Sequence, residues 1–150
     1  MFLSGVDGAR DMLQAMCFDR VRGNLLWSRD IARGVRQDVR SNKASPSPVT
    51  DGELVVFFYG SGDLVCFDMD GDRRWARNIR EDYGPLAFFW TFGGSPLLYE
   101  DRLYLQVLQR NEPVPIRGRS VQGNESYLLA LDPGTGRTLW RHVRPSLAAA

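Results

Sequence analysis

The sequence predicts an all-β fold, a partial β-propeller made of four-stranded antiparallel blades. A motif that ends in tryptophan occurs three times, and the first two of these tryptophans, Trp27 and Trp75, are 48 residues apart. That spacing lies in the range of about 40–50 residues that is typical of propeller blades. The intervening segments are short runs of branched and aromatic residues bounded by glycine-containing turns, which is the pattern of short β-strands.

Each copy of the motif has an aspartate before a turn, a glycine in the turn, and a tryptophan four residues after that glycine. The copies consist of Asp19, Gly23 and Trp27, then Asp68, Gly71 and Trp75, then Asp132, Gly136 and Trp140. A second element, Ser-Pro followed by an apolar residue, places its serine 20 residues after Trp27 and again 20 residues after Trp75. Two different elements therefore repeat in the same register, which indicates a repeated structural unit.

The second repeat shows how four strands arise. After the Ser-Pro element, residues 54–59 form a continuous run of branched and aromatic residues, which is typical of a strand buried on both faces. Gly60-Ser61-Gly62 turns the chain into a third strand at residues 64–67. Asp70-Gly71 is a strong hairpin signal before a short strand around Trp75. A weak helical period is present in Ser28 to Arg40.

The repeats divide the chain into one incomplete blade and two fuller ones. Residues 1–31 supply only the later strands of a blade, residues 47–79 form a complete blade, and residues 95–143 form a blade with an insertion at 109–126. Closed propellers need about 4–8 blades. We therefore expect the chain to be a piece of a longer protein, with closure by assembly as the alternative.

Composition excludes several classes of function. The formal net charge is +1 over 150 residues, which gives no basic excess for binding nucleic acid. No apolar run reaches the length of about 20 residues that spans a bilayer, and the N-terminus lacks the pattern of a signal peptide. Two cysteines, Cys17 and Cys66, are too few for a disulfide scaffold.

The third copy, Ala130 to Trp140, resembles the tryptophan-docking motif of the quinoprotein propellers, Ala-x-Asp-x-x-Thr-Gly-x-x-x-Trp, at all five fixed positions. The other copies have Cys17 or Cys66 in place of the alanine and lack the threonine. The resemblance implies that each motif tryptophan lies between blades, stacks on a glycine peptide and donates its N–H to a neighbouring carbonyl. It also implies that the two cysteines are small packing residues in successive blades, too far apart to form a disulfide.

Two classes of function share this family. Quinoprotein dehydrogenases bind pyrroloquinoline quinone (PQQ) and calcium, whereas binding propellers, among them the lipoprotein of the bacterial outer-membrane barrel-assembly machine, have no cofactor. The chain has no adjacent cysteine pair, and its aligned aspartates, Asp19, Asp68 and Asp132, are placed to cap turns. We therefore expect no catalytic, cofactor-binding or metal-binding residue in this chain, although PQQ and calcium are possible in a full-length relative.

Two further patterns suggest metal sites only superficially. Residues 68–72, Asp-Met-Asp-Gly-Asp, depart from a calcium loop because the glycine is fourth and the twelfth position is Ile79. The single histidine, His142, has no partner at ligand spacing. We interpret the first as a hairpin turn and the second as a surface residue.

The leading hypothesis is a non-catalytic binding or scaffold module, and the alternative is a piece of a PQQ- and calcium-dependent dehydrogenase whose active site lies outside this chain. Partners would be another protein or the remaining blades of the same propeller, and the resemblance implies a periplasmic or exported bacterial protein. Two places exceed the needs of the repeat and form a possible binding surface. They are an aromatic connector with Phe88, Phe89 and Trp90, and the insertion with Arg117 and Arg119.

Overall fold

The computed structural model describes residues 1–35, 42–86, 93–109 and 125–144. Within these residues the chain forms eleven β-strands, one short helix and three antiparallel sheets. Strands that follow one another in sequence are neighbours in each sheet, so every sheet is a simple meander. No helix of the described residues is long and apolar enough to cross a membrane.

The sheets follow one another along the chain. The first has the order β1-β2-β3, with β1 at Phe2–Asp7, β2 at Met12–Phe18 and β3 at Leu25–Arg33. The second has the order β4-β5-β6-β7, with β4 at Val49–Thr50, β5 at Leu54–Phe58, β6 at Asp63–Asp68 and β7 at Arg73–Asn78. The third has the order β8-β9-β10-β11, with β8 at Leu97–Tyr99, β9 at Arg102–Val107, β10 at Ser126–Leu131 and β11 at Thr138–Arg144.

The all-β, four-stranded architecture expected from the repeat is confirmed, and one local expectation is wrong. The weak helical period of Ser28 to Arg40 does not form a helix up to Arg33, because β3 pairs with β2 along this segment. Residues 36–41 lie outside the described part. Tertiary pairing overrides a weak local propensity when the strand can complete a ladder of hydrogen bonds.

The short helix, α1 at Ile79–Tyr83, was not anticipated from the sequence. It begins at Asn78, whose side chain accepts a hydrogen bond from the backbone N–H of Arg80, and it ends at Gly84 with φ 92°. Ile79 is fully buried against the second and third sheets. A single turn of helix that is fixed by its caps and one buried residue is too short to show a helical period.

The second sheet is buried on both faces, which explains its continuous apolar run. Alternate residues of a strand point to opposite faces, so each face receives half of the run. One face packs on the first sheet and includes Val55, Phe57, Tyr59, Val65 and Phe67. The opposite face packs on the third sheet and includes Val56, Phe58, Leu64 and Cys66.

An aromatic cluster joins the first two sheets. The ring centroids of Trp27 and Phe67 are 5.7 Å apart, and those of Trp27 and Phe57 are 6.3 Å apart. Phe2 lies 5.9 Å from Trp27 on the same side. The rings are tilted or edge-on, which are the arrangements that aromatic pairs favour. Burial of these rings stabilises the packing of the first sheet on the second.

We expect Phe57→Ala to lower the free energy of unfolding by about 3–5 kcal/mol, because Phe57 is fully buried between the first two sheets. Urea unfolding followed by tryptophan fluorescence measures this loss. The matched control is Leu26→Ala, whose side chain is 62% exposed in the first sheet and whose removal should cost about 0.5 kcal/mol or less. Equal losses in the two variants would contradict the packing described here.

Candidate functional site

The first contact between sheets is built on Trp27. Its Nε1 donates a hydrogen bond of 2.9 Å to the carbonyl oxygen of Met69, in the β6–β7 turn of the second sheet. Its ring lies so close to Gly71 that a Cβ on that glycine would be 2.7 Å from the ring. Gly71 also has φ 81°, a conformation that side chains other than glycine rarely adopt. Glycine is therefore required at this position twice, for its conformation and for the space it leaves.

The second contact repeats the first between the next two sheets. Trp75 Nε1 donates to the carbonyl oxygen of Pro133 at 2.8 Å, in the β10–β11 turn. A Cβ on Gly136 would be 2.5 Å from the Trp75 ring, and Gly136 has φ 71°. The carbonyl that accepts the indole hydrogen bond follows the motif aspartate directly in both turns.

Each motif aspartate holds its own turn, and the turns of Asp68 and Asp132 carry the two accepting carbonyls. The Asp19 carboxylate accepts hydrogen bonds from the backbone N–H groups of Val21 and Arg22, and these bonds hold its pKa below the usual range. The Asp132 carboxylate accepts from the backbone of Thr135, and its pKa is lowered by the same kind of bond. In each turn the glycine N–H also donates to the aspartate carbonyl, at 2.8–3.1 Å.

Residues 68–72 form one of these turns. The Asp68 carboxylate accepts from the backbone N–H groups of Asp70 and Asp72, at 3.1 and 2.8 Å. The strands on either side, β6 and β7, pair as an antiparallel hairpin. The hairpin interpretation of this acidic segment is confirmed.

At each contact one arginine donates a second hydrogen bond. These arginines were not identified from the sequence. Arg29 Nε donates to the carbonyl oxygen of Gly71 at 2.8 Å, and Arg77 Nη1 donates to that of Gly136 at 2.7 Å. Each arginine lies two residues after its tryptophan, so the signal in the sequence is Trp-x-Arg. Because alternate residues share a face of a strand, this spacing directs both side chains at the same glycine.

Arg77 also connects the short helix to the second contact. Its guanidinium forms a salt bridge of 2.7 Å with Asp82 of α1 and donates to Thr138 Oγ1 at 2.9 Å. The hydroxyl of Tyr83, also in α1, lies 2.7 Å from the same Thr138 oxygen. The helix is therefore part of the interface between the second and third sheets.

Trp140, the third motif tryptophan, and Gly23, the first motif glycine, make no contact of this kind among the described residues. Trp140 is 43% exposed and has a ring contact with Tyr104 of its own sheet, at 6.1 Å between centroids. The residue two positions after it is His142, where the other copies have arginine. A Cβ on Gly23 would have no atom of the described residues within 4 Å. Of the three motif copies, the tryptophans of the first two and the glycines of the last two therefore make the contacts between sheets.

The small first position of each motif pairs directly with the tryptophan across the strands. Cys17 is opposite Trp27, Cys66 is opposite Trp75, and Ala130 is opposite Trp140. Both cysteines are buried and unbridged. Burial raises the pKa of the Cys66 thiol to about 12, so it stays protonated at neutral pH and is a packing group.

The described residues contain no group of three or more histidines, cysteines or carboxylates that could hold a metal ion. The carboxylates of the motif accept hydrogen bonds from their own turns. The proposed surface residues, Phe88, Phe89, Trp90, Arg117 and Arg119, lie outside the described residues.

Comparison with known families agrees with this geometry. Residues 16–150 match the family described as outer membrane protein assembly factor BamB. The chain belongs to this family. Its match, and the structures below, confirm the resemblance to PQQ-type repeats that the docking motif indicated. No curated protein matches the chain significantly.

Solved structures show the same fold. A europium-containing methanol dehydrogenase matches with a TM-score of 0.66 and 14% identity, over 95% of this chain and 23% of that one. The quinohemoprotein alcohol dehydrogenase from Comamonas testosteroni matches with a TM-score of 0.59 and 18% identity, over 94% and 20%. BamB from Moraxella catarrhalis matches with a TM-score of 0.57 and 17% identity, over 98% and 38%. The chain therefore spans between a fifth and two fifths of the length of these proteins.

We expect Gly136→Ala to destabilise the protein by about 1–3 kcal/mol more than Gly52→Ala. Both glycines have a positive φ, but an added Cβ meets the Trp75 ring at position 136 and nothing within 4 Å at position 52. The difference between the two variants therefore isolates the close approach of the tryptophan from backbone strain. Urea melts of both variants measure it, and equal losses would contradict a tight contact.

Proposed function

We propose that this chain is a non-catalytic binding or scaffold module of the PQQ-type propellers. The observation that carries the proposal is that the motif aspartates, the contact arginines and the two cysteines of the described residues are engaged in turns, contacts and packing. Asp19, Asp68 and Asp132 are engaged by turns, and the arginines of the two contacts bind glycine carbonyls. The two cysteines are buried and unbridged.

The motif residues act in this proposal as docking residues. Trp27 and Trp75 dock one sheet onto the next, and Gly71 and Gly136 are the glycines on which their rings lie. We propose the same docking role for Trp140 and Gly23, which occupy the same motif positions in the third and the first copy. The hydrogen bonds to Met69 and Pro133 support this role, because an indole N–H that is removed from water requires a partner.

The partner we propose is a protein that takes part in outer-membrane protein assembly, which is the process named in the family description. The contact surface would include the aromatic connector with Phe88, Phe89 and Trp90 and the insertion with Arg117 and Arg119. Aromatic and arginine side chains dominate the energetics of protein interfaces. A periplasmic or exported location follows from the same proposal.

The alternative is a piece of a PQQ- and calcium-dependent dehydrogenase whose active site lies outside this chain. The fold match to two dehydrogenases supports this alternative. One of them is the europium-containing enzyme, with a TM-score of 0.66. In that case the residues described here would hold sheets together in the same way, and the quinone would bind elsewhere in the longer protein.

Titration of the natural protein that contains this chain with PQQ and calcium chloride separates the two functions. A scaffold should show no saturable quenching of tryptophan fluorescence and no dye-linked oxidation of alcohols. The same titration with calcium alone controls for nonspecific effects of the ion. Saturable quinone binding together with alcohol oxidation would overturn the scaffold proposal.

Site-specific crosslinking tests the proposed surface. A photoreactive amino acid at position 89 or 117 should crosslink to a component of outer-membrane protein assembly in cells. The matched control places the same group at position 53, where Glu53 is exposed on a turn of the second sheet. Equal crosslinking from all three positions, or none from 89 and 117, would contradict this surface.

A further inference from the structure

The groove between the first and second sheets and the groove between the second and third sheets are equivalent by strand register. Counted from the motif tryptophans, Arg29 corresponds to Arg77, and each donates to a glycine carbonyl of the next sheet. In the facing sheet, Ala76 corresponds to Arg141, since each directly follows its motif tryptophan. The two grooves, which we call the first and the second groove, can therefore be compared residue by residue.

The second groove is filled by side chains of the chain itself. Asp82 of α1 forms a salt bridge of 2.7 Å with Arg77, and the Tyr83 hydroxyl lies 2.7 Å from Thr138 Oγ1. The guanidinium of Arg141 lies over the Tyr83 ring, 5.3 Å from its centroid. This groove therefore holds a carboxylate and an aromatic ring that follow each other in the sequence.

The first groove is an open cavity of about 520 Å³. Arg29, Arg73 and Ala76 line it, and its apolar floor includes the buried side chains of Val65 and Phe67. The short side chain of Ala76 stands where Arg141 fills the second groove. A cavity of this size falls within the range of about 300–1,000 Å³ that is typical of ligand sites.

The segment that fills the second groove has no counterpart in the described part of the first. Counted from the motif tryptophans, the positions of Asp82 and Tyr83 correspond to Gly34 and Val35. The backbone N–H groups of Gly34 and Val35 donate to the carboxylate of Asp11, in the β1–β2 turn of their own sheet. These two residues supply neither a carboxylate nor an aromatic ring to the first groove.

Two guanidinium groups in the first groove have no carboxylate partner among the described residues. Every hydrogen bond that Arg29 donates goes to a backbone carbonyl. Arg73, at the register position of Thr138, forms no salt bridge with the part of the chain that the structure describes. The equivalent arginine of the second groove, Arg77, is paired with Asp82. The first groove therefore lacks the negative charge that its counterpart contains.

The charges along the first groove are divided between its two ends. Asp63 and Glu81 line the end near α1, and Asp30, at the edge of the groove, accepts a hydrogen bond from Arg10. Asp72 is exposed to solvent in the β6–β7 turn. The two unpaired guanidinium groups lie at the turn end. An acidic group is therefore favoured at the turn end, and an amide or basic group is favoured near α1.

We propose that the first groove binds a peptide segment of a partner protein in which an acidic residue precedes an aromatic one. The carboxylate binds Arg29 and Arg73, and the ring covers Ala76 and packs on Val65 and Phe67. Guanidinium and carboxylate groups match as planar, charge-assisted pairs. The inference rests on the proposed binding role of the chain, and it adds a contact site apart from the aromatic connector and the insertion.

A fluorescein-labelled peptide with the sequence of residues 78–84, Asn-Ile-Arg-Glu-Asp-Tyr-Gly, is the probe. Fluorescence anisotropy measures its binding to the natural protein that contains this chain, and we expect saturation with a dissociation constant below about 1 mM. Replacing the aspartate of the peptide by asparagine, or its tyrosine by alanine, should each weaken binding at least about tenfold, because a charged hydrogen bond or a buried ring is lost.

Matched variants of the protein locate the binding site. Arg73→Met removes one guanidinium, and Ala76→Phe fills the space above the floor of the groove. Both positions are exposed, so both variants should fold, which circular dichroism checks. Each should raise the dissociation constant at least about tenfold. Arg74→Met makes the same change at an exposed position that does not line the groove and should bind the peptide like the wild type.

Three results would overturn the proposal. The first is the absence of saturable binding up to about 1 mM peptide. The second is binding that Ala76→Phe leaves unchanged, which would place the peptide elsewhere, for example in the second groove in place of α1. The third is equal binding of the peptide without its aromatic ring, which would reduce the site to a general attraction for anions.

The outcome for the groove is separable from the outcome for the proposed function. If the peptide fails to bind while positions 89 and 117 still crosslink to an assembly component, the groove proposal alone is overturned. If the peptide binds as expected while those two positions do not crosslink, the connector and insertion surface alone is overturned, and the groove remains a site for a partner.

Discussion

The contact between a tryptophan ring and the glycine peptide of the next sheet is the constraint on which the rest of the structure depends. A flat indole can lie between two sheets only where the facing backbone has no side chain, and it needs an acceptor for its N–H. Gly71 with Met69, and Gly136 with Pro133, supply both requirements. The same turns require positive φ, so a single glycine meets the demands of the turn and of the neighbouring sheet.

The contact between successive sheets has a fixed polarity along the chain. The first and second sheets each present a tryptophan to the sheet that follows, and the second and third sheets each receive it at a glycine turn. The arginine two residues after the tryptophan adds a charge-assisted bond to the same glycine carbonyl, and such bonds are stronger than neutral ones.

This architecture also limits the chemistry available to the described residues. The aspartates of the repeat hold turns, and the cysteines fill the narrow space beside the tryptophans. Groups that would be nucleophiles or metal ligands in another setting are here engaged by packing and backbone bonds. The proposed recognition of a partner by exposed loops agrees with this framework, because loops on a rigid scaffold are where binding residues concentrate.

The sequence by itself determined the fold class, the positions of the motif tryptophans and glycines, and the doubly buried strand at residues 54–59. These depend on local identity and on repetition along the chain. It did not reveal the roles of Arg29 and Arg77 or the short helix at Ile79–Tyr83, and it suggested a weak helix where β3 forms. Only the tertiary structure decided these, because a hydrogen bond from Arg77 to Gly136 joins residues 59 apart, and its energy exists only after two sheets have met.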